Sequence, residues 1–322
     1  MSSPAPSPLH VVFGAGGPLG NTLSRLLAAQ GHRVRAVNRR GEANLPIGIE
    51  VVRADATDPV SARAACEGAS VVYHTANAPY TEWATTLPHI MDGLIDAAAQ
   101  TGAKLVYADN LYGYGECDRA LTEDMPLAAT GPKGHTRADV ARRLMKAHQA
   151  GKLRATIARA SDFFGPEVLL SGVGERVFGN ALRGKKVNLL GEIDQPHTLT
   201  FIEDFARALT ILGERNEALG EVWHVPSAST ITTREFVSIL FAELNQNPGI
   251  QVAPSWLLAI VGLFNPMVRE VRETLYQWEK PFIADASKFE HAFGRETTPM
   301  PSAIRATLAW YRQHQSTALA AQ

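Results

Sequence analysis

The sequence predicts an α/β protein built on a doubly wound parallel sheet, with a smaller C-terminal lobe. Three observations predict it. Short β-branched or apolar runs alternate with amphipathic segments over the first half of the chain, a glycine-rich turn ends the first run, and the alternation stops near Gly165. Strand, helix, strand at such spacing is how a parallel sheet covered on both faces is written in sequence.

The elements follow in order. Residues 9–13 read as a strand running into glycines, and residues 19–30 as a helix with Leu19, Leu23, Leu26 and Leu27 on its apolar face and Gly31 as its stop. Residues 33–37, 50–52 and 71–73 read as strands, with a short helix over 61–66 between the last two. A helix over 88–100, a strand over 104–108, a helix over 137–150 and a strand over 153–158 complete the series. The expected division is a first lobe over 1–165, rejoined by about 198–222, and a second lobe over most of 166–322. Residues 203–212 read as a helix returning to the first lobe, 303–313 as a final helix, and 270–280 as a lobe-stabilising helix.

Composition narrows the function classes. Of 322 residues, 45% are hydrophobic and 20% charged, and 31 basic side chains against 32 acidic ones give a net charge of −1. That balance lacks the broad positive field of a nucleic-acid binder, so no nucleic-acid partner is expected. Cys66 and Cys117 stand far apart, which disfavours a disulfide framework or a cysteine zinc site. His74 and His197 have no companion at metal-ligand spacing, and no metal is expected. The Ser/Ala/Pro-rich start is no secretion signal, and the longest apolar run, 256–264, is too short to cross a bilayer. The expectation is a cytoplasmic protein without a membrane partner.

Chemistry concentrates at the first turn. Gly14, Gly17 and Gly20 form GxxGxxG, and Gly16 opens a GxG, between the first strand and the first helix. Glycine here permits a sharp turn, close approach of a pyrophosphate to the backbone, and contact between helix and sheet. The helix start at Pro18 and Leu19 then presents free N–H groups and a partial positive charge to phosphate. At the end of the second strand, dinucleotide binders that read an unmodified ribose carry an acid. This chain has Asn38, Arg39 and Arg40 instead, which favours NADP(H), with NAD(H) as the alternative, because guanidiniums clamp a 2′-phosphate. Asp55, with Ala56 beside it, is placed to meet the adenine amine.

Further segments carry a resemblance. They are Val72-Tyr73-His74-Thr75-Ala76, Leu105-Val106-Tyr107 leading to Tyr114-Gly115, Arg159-Ala160-Ser161-Asp162-Phe163-Phe164-Gly165-Pro166, and Thr200-Phe201-Ile202-Glu203-Asp204. With the glycine turn, they make the chain resemble the extended short-chain dehydrogenase/reductases, the NAD-dependent epimerase/dehydratase-like family, from Val11 to about Arg312. The resemblance implies a Rossmann lobe for the coenzyme and a second lobe for a small-molecule substrate. It places Thr75, Ala76 and Asn77 on the ribose side, and Ala160, Ser161 and Asp162 beside the nicotinamide. Relatives often dimerise through helices corresponding to 88–100 and 137–150; Arg142, Arg143 and Lys146 on the second leave monomer and homodimer both open.

The catalytic pattern departs from the family. Its Ser or Thr falls on Asn110, and its Tyr and Lys, one helical turn apart, fall on Lys133 and Arg137. The one literal YxxxK, Tyr276 to Lys280, reads as a chance match. The expectation is an oxidoreductase in which Lys133, its charge destabilised by Arg137 and an oxidised nicotinamide, donates the proton and also borders the coenzyme. Asn110 positions the substrate oxygen, and Asp109 moderates the cluster's charge or shuttles protons. Tyr112 or Tyr114 is the alternative proton donor. A diphosphate-gripping Arg of nucleotide-sugar relatives falls on His197, which argues against an epimerase or dehydratase of such sugars. Loss of the tyrosine also leaves a non-catalytic, dinucleotide-binding redox sensor as a competing class. The apolar stretch 255–264 packs the second lobe or lines a substrate pocket.

Overall fold

Seven strands form one sheet in a computed structural model that describes residues 7–253 and 273–314. In chain order, the elements that matter here are β1 (Leu9–Phe13), α1 (Pro18–Ala29), β2 (Arg33–Asn38), β3 (Glu50–Arg53) and α2 (Pro59–Ala65). Next come β4 (Ala69–His74), α3 (Trp83–Thr101), β5 (Lys104–Asn110), α4 (Pro132–Gln149) and β6 (Arg154–Ala160). The spatial order is Val222–His224, β6, β5, β4, β1, β2, β3, and the pairs β1–β2, β2–β3, β1–β4 and β4–β5 are parallel. Chain order therefore reverses between β1 and β4, where ligands of doubly wound sheets bind at the strands' carboxyl ends.

The chain divides into two compact units. The first holds the described residues up to Asp109, with Thr136–Arg159 and Ala206–Trp223; the second holds Asn110–His135, Ala160–Phe205 and the described residues from His224 onward. In the first unit, all of β1 and nearly all of β6 are buried, as continuous apolar runs under helices on both faces require. Helix α1 contributes Leu19, Leu23 and Leu27 to this core. Helix α3 comes so close to the loop before α2 that a Cβ on Gly93 would lie 2.0 Å from the Ala56 carbonyl oxygen.

The second unit is organised around rings. Phe164 meets Phe236 edge-on at 5.0 Å, and Phe178 stacks on Tyr311 at 5.5 Å. Phe178, Phe236 and Tyr311 are carried by the helices Phe178–Leu182, Thr233–Glu243 and Met300–Gln313, and Phe164 by a short strand. Short strand pairs join Phe163–Phe164 to Thr200–Phe201 and Val187–Leu190 to Ile250–Ala253.

The larger departures from the expected boundaries lie in the helices. Helix α3 starts at Trp83 rather than Pro88, because buried Trp83, whose indole N–H donates to the Ala78 carbonyl at 2.9 Å, and buried Leu87 anchor an extra turn. Helix α4 starts at Pro132, a residue suited to a helix's first position, rather than at Arg137. The described part of 270–280 forms one helical turn, Tyr276–Glu279, and the apolar stretch 255–264 lies outside the described residues.

Candidate active site

At the end of β1 the chain turns through Gly14 (φ +97°) and Gly16 (φ +100°), backbone conformations that favour glycine. The Gly14 N–H donates to the Val37 carbonyl at 3.0 Å, and Thr75 donates to the Phe13 carbonyl through both its N–H (2.9 Å) and its hydroxyl (2.8 Å). The turn is thereby pinned to the ends of both neighbouring strands. A Cβ on Gly14 would lie 2.5 Å from the Ala76 nitrogen, and one on Gly20 would lie 2.4 Å from the Gly14 carbonyl oxygen. Gly17, which precedes α1, has no side chain with which to cap it. The first-turn N–H groups of Leu19 and Gly20 are left to an outside acceptor, which is the chemistry a phosphate supplies.

The loop after β2 refines the expectation. Asn38 Oδ1 accepts from the backbone of Arg40 (2.9 Å) and Gly41 (2.8 Å), while its Nδ2 donates to the Glu42 carbonyl (2.9 Å). Its amide thus shapes the loop. A Cβ on Gly16 would lie 3.8 Å from the Arg40 guanidinium, so Arg40 flanks the glycine turn. Arg39 is exposed, and its charge helps hold the Asp55 carboxyl below its usual range, after the stronger effect of the Thr57 N–H. That N–H and the Thr57 hydroxyl bond the same Asp55 oxygen, at 2.9 and 2.8 Å.

Behind the turn lies a buried charge cluster. Asp109 stands between two guanidiniums, 3.1 Å from Arg159 Nε and 3.7 Å from Arg137 Nη1. Arg137 also donates to the Tyr107 hydroxyl (2.8 Å) and Asn77 Oδ1 (3.3 Å), and its guanidinium lies 4.2 Å from the centre of the Trp83 ring. Asp109 is therefore a counter-ion for two cations. His74, stacked on Tyr107 at 4.8 Å, is fully buried, and its Nδ1 has no hydrogen-bond partner among the described residues.

Burial lowers the His74 imidazole from 6.5 to about 3, and the Arg137 charge pushes the same way. The unfolded chain protonates this ring below its ordinary value while the folded chain does not. The stability it contributes is thus complete above pH 6.5 and is lost as pH falls towards about 3. Its expected share is about 1.4 kcal/mol per pH unit within that window. Urea unfolding at about pH 7 and about pH 5 measures it. A His74→Phe variant with the wild-type pH dependence would contradict it.

The second unit carries the other candidates. Lys133 is buried, and a carboxylate that local sequence does not reveal stands beside it. Glu273 accepts from its backbone N–H at 2.6 Å and lies 3.5 Å from its ammonium. The partner is 140 residues away in sequence, beyond the reach of any local spacing rule. Arg137, one turn further along α4, is neutralised in its turn by Asp109. Asn110 Oδ1 accepts from Tyr112 N–H at 3.1 Å, leaving its amide donors to other partners.

Tyr114 is committed elsewhere. His224 Nδ1 must donate to the Asp285 carbonyl (2.9 Å), so its Nε2 accepts from the Tyr114 hydroxyl (2.8 Å). His197 is likewise engaged through both ring nitrogens, each at 3.0 Å, with the Gln277 carbonyl and Asp162 Oδ2. Its ring stacks on Trp278 at 4.1 Å. Ala160 and Ser161 are buried, and the Ser161 hydroxyl makes no hydrogen bond among the described residues. Among those residues there is no cluster of three metal-ligating side chains and no helix long and apolar enough to cross a membrane.

Comparison with known proteins fits this geometry. The chain is 22% identical over 306 residues to a 2-alkyl-3-oxoalkanoate reductase of Shewanella oneidensis, spanning 88% of this chain and 78% of that protein. It is 26% identical over 256 residues to the protein of the same name from Stenotrophomonas maltophilia, spanning 72% and 74%. In fold it is similar to the NAD complex of dTDP-glucose 4,6-dehydratase from Bacillus anthracis (TM-score 0.81, 16% identity, 96% of this chain and 98% of that one). It is also similar to an epimerase from Methanothermobacter thermautotrophicus (TM-score 0.82, 18% identity, 98% and 95%). Residues 10–225 match the profile of the NAD dependent epimerase/dehydratase family, and with its glycine turn at the reversal point of the sheet, the chain belongs to that family.

Proposed function

We propose that this chain is a nicotinamide-dependent oxidoreductase that interconverts a small carbonyl compound and its alcohol, with NADP(H) preferred over NAD(H). The observation that carries the reading is the glycine turn. It is pinned between strand ends, followed by an uncapped helix start, and flanked by Arg40, two residues past the Asn38 position at which a ribose-reading acid would stand. Gly16, Gly17, Leu19 and Gly20 would hold the pyrophosphate, Arg39 and Arg40 the 2′-phosphate, and Asp55 the adenine amine. Asn77 and Arg137 would meet the nicotinamide ribose, and Ala160 and Ser161 would border the ring. When bound in reduced form, such a coenzyme supplies a hydride to a carbonyl carbon.

Asn110, with its uncommitted amide donors, would orient the carbonyl oxygen. Lys133 would donate the proton to that oxygen, from an ammonium 3.5 Å from the Glu273 carboxylate. The names of the two curated relatives support a 3-oxo acid as the kind of carbonyl compound. The test is consumption of NADPH or NADH with a panel of 2-alkyl-3-oxoalkanoates, aldehydes and ketones. No consumption with any of them overturns the reading.

Coenzyme preference gives a second check. Replacing Arg39 and Arg40 together with alanine is expected to weaken NADPH binding at least about tenfold and leave NADH binding nearly unchanged. Equal weakening of both, measured by calorimetry, would remove the assigned role of the two guanidiniums.

A further inference from the structure

A cavity of about 200 Å³ opens in the second unit, with Thr198, Ser227, Thr230, Asp285, Glu290 and Arg295 in its walls. All the residues that line it belong to that unit, so it is complete without the glycine turn of the first. At about 30 Å³ per water it has room for about six or seven waters, or for one small organic molecule. Backbone bonds fix the walls. The Thr198 N–H donates to the Phe282 carbonyl (2.9 Å), the Ala284 N–H to Thr198 Oγ1 (3.1 Å) and the Asp285 N–H to the Leu121 carbonyl (2.9 Å).

The polar groups of these walls are only partly used. The Thr198 and Thr230 hydroxyls lie 2.8 Å apart, and one donates to the other. Each has a single O–H to give, and Thr198 Oγ1 already accepts from Ala284. Whichever donates, the pair keeps one O–H that has no acceptor among the described residues. Asp285 offers the converse. Its carboxylate accepts from the Ser287 N–H at 2.8 Å and has lone pairs to spare. The Ser287 hydroxyl, and after it the Ser287 N–H, hold that carboxyl below its usual range, so it is ionised at neutral pH. Arg295 pairs with Glu290, Nε to Oε1 at 3.3 Å, which leaves the Asp285 carboxylate as the net charge of the walls.

A ligand matched to this cavity accepts one hydrogen bond and donates others to a carboxylate. An ammonium only donates, and an anion is repelled by Asp285. A hydroxyl does both. We infer that the second unit binds a small neutral polyol here, its hydroxyls donating to Asp285 and accepting from the Thr198–Thr230 pair. This binding site goes beyond the oxidoreductase reading and does not depend on it.

Saturation-transfer NMR on the 322-residue chain tests the inference. The probes are glycerol, erythritol and myo-inositol, with propylammonium and glycerol 3-phosphate as cationic and anionic counterparts. Saturable binding of at least one polyol is expected, with a Kd of about 1 mM as suits so small a ligand, and none of either ion. Asp285→Asn keeps the side chain's size and removes its charge, and is expected to weaken polyol binding about tenfold or more. Ala228→Leu adds bulk to the half-buried lining and leaves every polar group named above in place, and is expected to abolish binding. Because it leaves Asp285 intact, it decides the matter if Asp285→Asn does not fold. Failure of all three polyols to bind wild type overturns the inference. So does polyol binding by Ala228→Leu as tight as by wild type, or tighter binding of either ion than of any polyol.

Discussion

Replacing Asp109 with alanine is expected to cost about 3–5 kcal/mol of stability, a large share of the total for a typical domain. The carboxylate is 2% exposed, between guanidiniums that are 4% and 7% exposed. Truncation would leave two buried cations repelling each other across an emptied position. In a low-dielectric setting that penalty exceeds anything lost from a surface pair. Arg143 provides the contrast: it pairs with Asp92 and Asp139 at 2.8 Å each, but with about half of each carboxylate exposed. Arg143→Ala should cost no more than about 1 kcal/mol. Denaturant unfolding of both variants decides the matter, and an Asp109→Ala protein as stable as Arg143→Ala would show that the buried cluster is not what holds this end of the sheet.

Valine in place of Gly14 is the second large effect. The residue has φ +97°, and an added Cβ would lie within 2.7 Å of three backbone atoms of Thr75 and Ala76. Strain and overpacking each cost about 1–3 kcal/mol, and neither relaxes easily when the obstruction is backbone. The expected sum is about 2–6 kcal/mol, together with loss of coenzyme binding. Gly31 separates the two contributions. It also has positive φ (+85°) but nothing within 4 Å of its Cβ position, so Gly31→Ala should carry the conformational cost alone and leave coenzyme binding intact. Thermal unfolding with calorimetry reads both, and a Gly14→Val protein that still binds coenzyme normally would contradict the role given to the turn.

What could be read from the sequence follows the range of the interactions involved. The glycine turn was legible because strand, glycines and helix are contiguous, so the local pattern contains the geometry. The doubly wound sheet was legible for the same reason, since each βα unit is local and its apolar period shows which face is buried. Side-chain partners were not. Asp109 stood out as a charged residue at the end of β5, but its partner Arg159 lies 50 residues on, in the neighbouring strand. Without that pairing, a counter-ion and a proton shuttle look alike. The Glu273 carboxylate at Lys133 is equally hidden, because it enters from 140 residues away.

Local chemistry also misled when two roles share one residue type. Asn38 sits where a ribose reader belongs, yet its amide closes an Asx-type turn onto Arg40 and Gly41, which a single sequence does not distinguish from ligand contact. Pro88 looked like a helix start, since proline is favoured there. Tertiary anchoring of Trp83 and Leu87 extended the helix past it instead. Tyr276 and Lys280 matched a catalytic spacing on the wrong element. Their spacing carries no meaning, because Lys280 turns to Glu116 while the Tyr276 ring packs on the Leu111–Tyr114 cluster.

If the first turn holds the proposed phosphorylated nicotinamide dinucleotide, calorimetric titration of the 322-residue chain with NADPH and, separately, with NADH gives saturable one-site heat with both and tighter binding of NADPH. No heat with either coenzyme, reduced or oxidised, would contradict it.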